Sequence, residues 1–271
     1  MNSNSASDSV SKNKSKSSQG KSNRIPINLI APLTVLLVLF LGLEFIARTS
    51  NISKFILPPP TSIITQTIMK FPTDILPHFL FTFKIIVIGF LSAVTLGMLL
   101  AALISQYRIL VNAISPVIIW LVITPMITLI PLIMLWLGTE PNLRVIVVIV
   151  QATPIITLNT LTGFINVETD KLELAKSVGA SKLQTFKKVI FMNAMPQVFT
   201  GIKLGCIFST IGAISADFVA GTKGLGFRII QYTKYNMTAL TYGCILIVAL
   251  IGLVLYTTVE AIEKRIVLWK N

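Results

Sequence analysis

Six apolar runs dominate this chain of 271 residues. They cover residues 27–47, 79–104, 113–137, 143–165, 195–220 and 241–262. Each run has about twenty residues or more, which is enough for a helix to cross the roughly 30 Å hydrocarbon core of a bilayer. With 54% hydrophobic and 12% charged residues, the chain has too little polar surface to coat a soluble globule of its size. We therefore predict an all-α polytopic membrane protein with six transmembrane helices.

The amino-terminal segment has a different composition. Residues 1–25 are rich in Ser, Asn and Lys and nearly lack large apolar side chains, so they cannot bury enough surface to become ordered. We predict a disordered cytoplasmic tail here, followed by one transmembrane domain over residues 26–271. An organellar transit peptide is the alternative, because the segment is Ser-rich and poor in acidic residues, but it has no amphipathic arginine pattern.

A charged island at residues 168–196 interrupts the apolar runs. Leu172, Ala175 and Val178 recur there at helical spacing, which predicts a short amphipathic helix. Gly179 follows the last of these positions, where a glycine can adopt the left-handed conformation that ends a helix. The first helix of the island is therefore expected to end near Gly179.

A second helix is predicted to begin directly after this turn. Ser181 and Gln184 have the Ser-x-x-Gln spacing of a capping box, in which each side chain bonds the other residue's backbone amide. Two helices around a glycine turn, placed between bilayer spans, would present a knob to a soluble partner. The fold class is thus a six-span helical bundle with a helix-turn-helix loop.

This loop resembles the "EAA" cytoplasmic loop in the permease subunits of ABC importers. The matching residues are Glu173, Ala175, Gly179, Ala180, Ser181, Phe186, Val189 and Pro196. In that family the loop is a coupling helix that seats in a cleft on the ATPase subunit, so the resemblance implies ATPase coupling by Glu173, Ala175, Gly179, Ala180 and Ser181. The loop departs from the family pattern at Leu174, at Glu168-Thr169 and at Met192, where proline is common.

The wider chain resembles permeases of the nitrate, sulfonate, taurine and pyrimidine-precursor group over residues 57–269. The residues that carry this resemblance are Leu57, Pro58, Pro60, His78, Thr82, Lys84, Gly89, Phe90, Pro131, Trp136, Gly138, Gly224, Leu225 and Gly226. It implies an importer in the cytoplasmic (inner) membrane, with a permease homodimer and an ATP-binding subunit. It also implies an extracytoplasmic solute-binding protein that delivers a small anionic or heteroaromatic nutrient.

The distribution of basic residues favours a cytoplasmic amino terminus. Of the 23 Lys and Arg residues, Lys84 and Lys203 are left out of the count because they lie within predicted spans, whereas Arg144, at the start of its run, is counted as external. With that orientation, 14 of the others are internal and 7 external, and without the tail the numbers are nine and seven. The charged island then faces the cytoplasm, where an ATPase can reach it. The formal charge of +13 suggests contact with anionic membrane lipid rather than with nucleic acid.

Three prolines interrupt the third run, at Pro116, Pro125 and Pro131. An interior proline removes a backbone hydrogen bond, which is tolerable only where the freed carbonyl faces protein or water. Pro125 and Pro131 are therefore candidates for a helix beside the transport pathway. Simple packing kinks are an equally acceptable interpretation.

Charged residues inside the runs are the other pathway candidates. Lys84 and Asp217 both lie near the outer ends of their predicted spans and are expected to line or brace an outer gate. The alternative is that they snorkel to the interface or pair with neighbours. Gly201 and Gly205 form a small-x-x-x-small pattern, which predicts close helix packing.

Other functional classes receive little support. An ion-coupled secondary transporter is the main alternative, but the runs contain no mid-span carboxylate and no convincing internal repeat. An intramembrane enzyme would need motifs such as His-Glu-x-x-His, which this chain lacks. Cys206 and Cys244 have no metal-ligand spacing and are expected to be buried and unpaired. We therefore expect no catalytic group, no cofactor and no metal.

Overall fold

The computed structural model describes residues 27–50, 53 and 55–268, with side chains from residue 34 onward. The predicted tail of residues 1–25 lies outside the described residues. All regular elements in the described part are helices. They are α1 Ile27–Thr49, α2 Pro60–Lys70, α3 Leu76–Ile104, α4 Arg108–Ile123, α5 Met126–Leu137, α6 Pro141–Ile165, α7 Thr169–Ser177, α8 Lys182–Thr185, α9 Phe191–Ala220, α10 Leu225–Lys234 and α11 Thr238–Ile266, with π-helical turns at Phe71–Ile75 and Phe186–Ile190.

Helices α3, α6 and α9 form the centre of the bundle, and α6 lies between the other two. On α3, Gly89 faces Val148 and Gly97 faces Ile156, so α3 and α6 run parallel. A methyl group at Gly97 would stand 2.8 Å from Ile156 Cγ2, closer than packed carbon atoms approach. Glycine therefore permits this close approach of the two helices.

Helix α9 packs against α6 in the opposite direction. Gly201 lies against Asn159, Gly205 against Ile156 and Gly212 against Gln151. The small-x-x-x-small pair therefore faces α6, and its predicted role in close packing is confirmed. Because α6 and α9 are antiparallel, the carboxyl end of α6 and the amino end of α9 lie at the same end of the bundle.

Four helical segments in the described part are long and apolar enough to cross a membrane, namely Pro60–Ile104, Pro141–Ile165, Lys182–Ala220 and Thr238–Ile266. A fifth candidate is the pair α4 and α5, which are bent by 97° relative to each other. The first predicted span, residues 27–47, coincides with the 23-residue helix α1. The total of six spans stays a prediction.

The third predicted span needs correction, because residues 113–137 do not form one kinked helix. The break occurs at Thr124 and Pro125, which are both extended, whereas Pro116 and Pro131 lie inside α4 and α5. A residue before proline is driven out of the helical region, and Thr124 has ψ of 122°. Only the middle proline therefore interrupts the helix.

Two other predicted spans lie within longer helical segments. The second predicted span, residues 79–104, is part of a continuous 45-residue helical segment, Pro60–Ile104. Its π-helical turn Phe71–Ile75 accommodates Pro72 without a break. The fifth predicted span, residues 195–220, likewise lies within the continuous helical segment Lys182–Ala220, in which Met192 stands where proline is common in the family.

Candidate functional site

The charged island folds as two helical arms around Gly179. We call residues 169–190 the elbow, and the end of the bundle that carries it the elbow end. Helix α7 ends at Ser177, and Gly179, two residues later, has φ of +73°. The Gly179 amide donates to Lys176 O at 2.9 Å, and the Ala180 amide donates to Ala175 O at 3.0 Å. These two bonds form a Schellman motif, which requires the left-handed conformation that glycine adopts at little cost.

The second arm begins with the capping box predicted from the sequence. The Ser181 amide donates to Gln184 Oε1 at 2.8 Å, and the Gln184 amide donates to Ser181 Oγ at 3.3 Å. Both orphan amides of this helix start are therefore satisfied. From here the arm continues through the π-helical turn Phe186–Ile190 directly into α9.

Aromatic and polar contacts anchor the elbow to the bundle. Phe186 packs edge-on against Phe164 of α6, with ring centroids 5.3 Å apart, and Phe191 lies 6.3 Å from the same ring. On the other arm, Lys171 Nζ donates to Asn193 Oδ1 at 2.9 Å. Both arms are therefore tied to the α6–α9 pair, so a force applied to the elbow reaches these helices.

The outer surface of the elbow combines apolar and basic side chains. Leu174 and Val178 are 65% and 73% exposed, and Leu183 on the second arm is 63% exposed. An open groove of about 880 Å³ lies between the arms. The exposed lysines of this surface are Lys171, Lys176, Lys182, Lys187 and Lys188. Of the residues predicted to couple to an ATPase, Glu173, Gly179 and Ser181 are exposed, Ala180 is half-buried and Ala175 is buried.

At the opposite end of α6 and α9, a buried ion pair joins the two helices. Arg144 Nε donates to Asp217 Oδ1 at 3.1 Å, and both side chains are 1% exposed. Thr82 of α3 donates its hydroxyl to Asp217 Oδ2 at 2.8 Å. We call Arg144, Asp217 and Thr82 the clamp, and this end of the bundle the clamp end.

The clamp also holds the loop between α9 and α10. The Leu225 amide donates to Thr82 Oγ1 at 2.8 Å, and the Gly224 amide donates to His78 Nδ1 at 3.0 Å. Gly224 has φ of +113°, and a side chain there would overlap the Asp217 carboxylate. The loop backbone lies so close to the clamp that no side chain fits there, and this close approach explains the Gly-Leu-Gly sequence.

Two further ion pairs tie α11 and α10 to the bundle. Lys203 Nζ lies 2.6 Å from Glu263 Oε2 and joins α9 to α11 near the elbow end. Near the clamp end, Arg228 pairs with Asp74, which also accepts from the Tyr232 hydroxyl at 2.5 Å. Burial and the neighbouring Asp74 carboxylate raise the pKa of Tyr232, so this phenol stays protonated and donates.

The predicted gate residues do not form one cluster. Asp217 is fully buried, whereas Lys84 lies on the exposed side of α3, opposite to Thr82. Pro125 forms the break between α4 and α5, and Pro131 is exposed one turn and a half later. The buried partner of Asp217 is Arg144, which was predicted to be an external charge. The position of Arg144 at the start of an apolar run is the sequence feature that could have indicated its burial.

The described residues contain no cluster of three or more His, Cys, Asp or Glu side chains that could hold a metal. Cys206 and Cys244 are both buried and are not bonded to each other.

Comparisons with known proteins agree with this architecture. Residues 93–268 match the family described as "Binding-protein-dependent transport system inner membrane component". The formylaminopyrimidine transport permease ThiX of Halalkalibacterium halodurans is 26% identical over 246 residues, which cover 89% of this chain and 96% of that protein. The taurine transport system permease TauC of Escherichia coli is 22% identical, with 83% and 84% covered. The riboflavin transport system permease RibX of Chloroflexus aurantiacus is 28% identical, with 88% and 89% covered.

Solved structures show the same fold. An amino acid ABC transporter matches with a TM-score of 0.61 at 18% identity, covering 74% of this chain and 97% of that one. The inward-facing methionine transporter MetNI matches with a TM-score of 0.55 at 19% identity, with 74% and 98% covered.

Such permeases are multi-pass proteins of the inner membrane, and they work with an ATPase and a solute-binding protein. The family match extends over more than half of the chain, and no observation supports an ion-coupled mechanism. The chain therefore belongs to the inner-membrane components of binding-protein-dependent transport systems, and it is the permease subunit of an ABC importer.

Proposed function

We propose that the elbow is the coupling element of this importer and that it seats in a cleft on the partner ATPase. The observation that carries this proposal is the pair of side chains Leu174 and Val178, which project from the elbow at 65% and 73% exposure. Large apolar side chains at the tip of a short, rigid helix are the kind of anchor that fills a pocket on a partner. The surrounding lysines favour an acidic rim on that partner.

We propose that the elbow end faces the cytoplasm, with the amino terminus on the same side. The basic residues of the elbow, together with Lys264 and Arg265 at the end of α11, lie at this end, as expected for the inner side of a membrane. Anionic lipid headgroups would contact Lys264 and Arg265. Arg228 and Lys223 lie at the clamp end, which would meet the solute-binding protein.

Two copies of the chain would enclose the transport pathway, with one ATPase subunit on each elbow. Closure of the ATPase pair on ATP would pull the two elbows together. The aromatic anchors at Phe164 and Phe186 would pass this movement to α6 and α9, which would rock from an inward-open to an outward-open arrangement. The mechanical step is thus the movement of helices that are joined at the elbow.

The solute is proposed to be a small anionic or heteroaromatic nutrient. The relatives named above transport formylaminopyrimidine, taurine and riboflavin, and a further relative from Bacillus subtilis is a putative aliphatic sulfonates permease. In such systems the solute-binding protein contributes to selectivity, so its ligand identifies the nutrient.

The coupling role is tested by co-purification. The chain is co-expressed with its partner ATPase, and the amount of ATPase that stays bound to the purified permease is measured. Leu174→Glu with Val178→Glu should abolish this association. Tyr235→Glu is the matched control, because Tyr235 is also 65% exposed but lies at the clamp end. Equal recovery of the ATPase with the elbow variant and with the control would refute the proposal.

A further inference from the structure

Amide side chains lie along the contact between α6 and α9, which we call the seam. Gln151 and Asn159 of α6 and Gln197 of α9 are half-buried, and each packs its Cβ against a glycine of the facing helix. Gln151 faces Gly212, Asn159 faces Gly201 and Gln197 faces Gly163. Because α6 and α9 are antiparallel, these residues form a column along the seam. Ser215 of α9 is also half-buried and lies about one helical turn beyond Gly212, and half-buried Thr200 lies about one turn from Gln197.

The column covers much of the thickness of a bilayer. Gln197 is level with residue 163 of α6, and Gln151 lies twelve positions earlier on that helix. At a rise of 1.5 Å per residue this separation is about 18 Å. Polar side chains are therefore present from near the elbow end to the middle of the spans.

Gln151, Gln197 and Ser215 make no side-chain hydrogen bond to any residue that the structure describes. An unpaired amide that faces hydrocarbon loses several kcal/mol relative to water, on the order of 4–8 kcal/mol by cyclohexane scales. These side chains therefore require water, solute or protein beside them rather than lipid. The seam is accordingly a face that is turned away from lipid.

No unpaired charge accompanies the column. The ionisable Asp, Glu, Lys and Arg side chains of α6 and α9 are Arg144, Asp217 and Lys203, and all three are in ion pairs, with Glu263 as the partner of Lys203. Amides both donate and accept hydrogen bonds, so they can bind a polar group of either kind. Ile155 and Phe208, both half-buried, add apolar surface beside the amides.

We propose that the seam lines the solute pathway and that it binds the solute through uncharged hydrogen-bonding groups. This inference depends on the proposed function, and it favours a heteroaromatic solute, with ring donors and acceptors for the amides and a flat face for the apolar side chains. A free cation on this wall would favour a solute selected by its negative charge. The seam supplies none.

Cysteine accessibility tests the inference in the purified permease–ATPase complex in lipid nanodiscs. Gln151→Cys and Thr200→Cys are labelled with water-soluble methanethiosulfonates, one anionic and one cationic, and rates are divided by those for free glutathione. Because cysteine is similar in size to threonine, Thr200→Cys should leave the fold unchanged. The unmodified chain is the blank, because Cys206 and Cys244 are both fully buried. Leu246→Cys, at a 58% exposed apolar position of α11, is the lipid-facing control.

The seam cysteines should react at least tenfold faster than Leu246→Cys, and the two reagents should differ by less than about threefold. Reaction as slow as that of Leu246→Cys would overturn the pathway. A tenfold preference for the anionic reagent would contradict the proposal that the wall is uncharged. Because the complex is isolated with its ATPase bound, these results are independent of the elbow test.

Discussion

Arg144 and Asp217 form a fully buried ion pair between α6 and α9, with 3.1 Å between Arg144 Nε and Asp217 Oδ1. The arginine also donates to the carbonyl oxygen of Thr139 at 3.0 Å and to that of Ala220 at 3.3 Å. The carboxylate accepts from Thr82 as well. Each charge is therefore surrounded by hydrogen-bonding partners, which a buried pair needs to offset the loss of hydration.

Removal of one partner of this pair should destabilise the permease strongly. Asp217→Ala leaves the Arg144 guanidinium buried without its counter-charge, which costs about 3–5 kcal/mol in such sites. The thermal unfolding of the detergent-solubilised chain measures the loss. The double variant Arg144→Met with Asp217→Leu should recover much of it, because no buried charge remains. A double variant less stable than Asp217→Ala would show that the pair is not the source of the effect.

Gly224→Ala should destabilise the clamp end. The residue has φ of +113° and ψ of 170°, a conformation essentially restricted to glycine, and a methyl group there would overlap the Asp217 carboxylate. The expected cost is about 2 kcal/mol or more. Gly42→Ala is the control, since nothing lies within 4 Å of a methyl group at that helical position. Equal melting temperatures for the two variants would contradict the close approach of loop and clamp.

Ser181→Ala should loosen the start of the second elbow arm. It removes the acceptor of the Gln184 amide, and the loss of such a cap costs about 0.5–2 kcal/mol. Hydrogen–deuterium exchange of peptides that cover residues 182–190 should become faster. Ser177→Ala is the matched control, because Ser177 Oγ bonds only the Leu174 carbonyl oxygen within its own helix. Unchanged exchange in Ser181→Ala would mean that the capping box does not stabilise the arm.

Local signals in the sequence predicted the elbow well. The glycine after α7 and the Ser-x-x-Gln spacing each act within six residues, so their hydrogen bonds follow from local chemistry alone. Long apolar runs likewise indicate spanning helices without knowledge of the fold. The small-x-x-x-small pair of Gly201 and Gly205 predicted close packing, although not the helix against which it packs.

Long-range contacts could not be predicted in this way. Arg144 and Asp217 are 73 positions apart, and an arginine at the start of an apolar run is hard to distinguish from a loop charge. The polar column could not be predicted either, because Gln151 and Gln197 are brought to one seam only when α6 and α9 pack together. The break at Thr124 was also ambiguous, since three prolines offered three places for a bend.

The most direct measurement of the central claim compares two substitutions of Gly179. Nothing lies within 4 Å of a Cβ atom added at this position, so the only constraint on a substituted residue is the backbone φ of +73°. Valine is strained there by about 1–2 kcal/mol or more, whereas asparagine tolerates the left-handed conformation. ATPase association and transport are measured for both variants in the assembled importer. We predict that Gly179→Val weakens both by roughly tenfold or more and that Gly179→Asn largely retains both. Full association and transport in Gly179→Val would contradict the elbow as the coupling element.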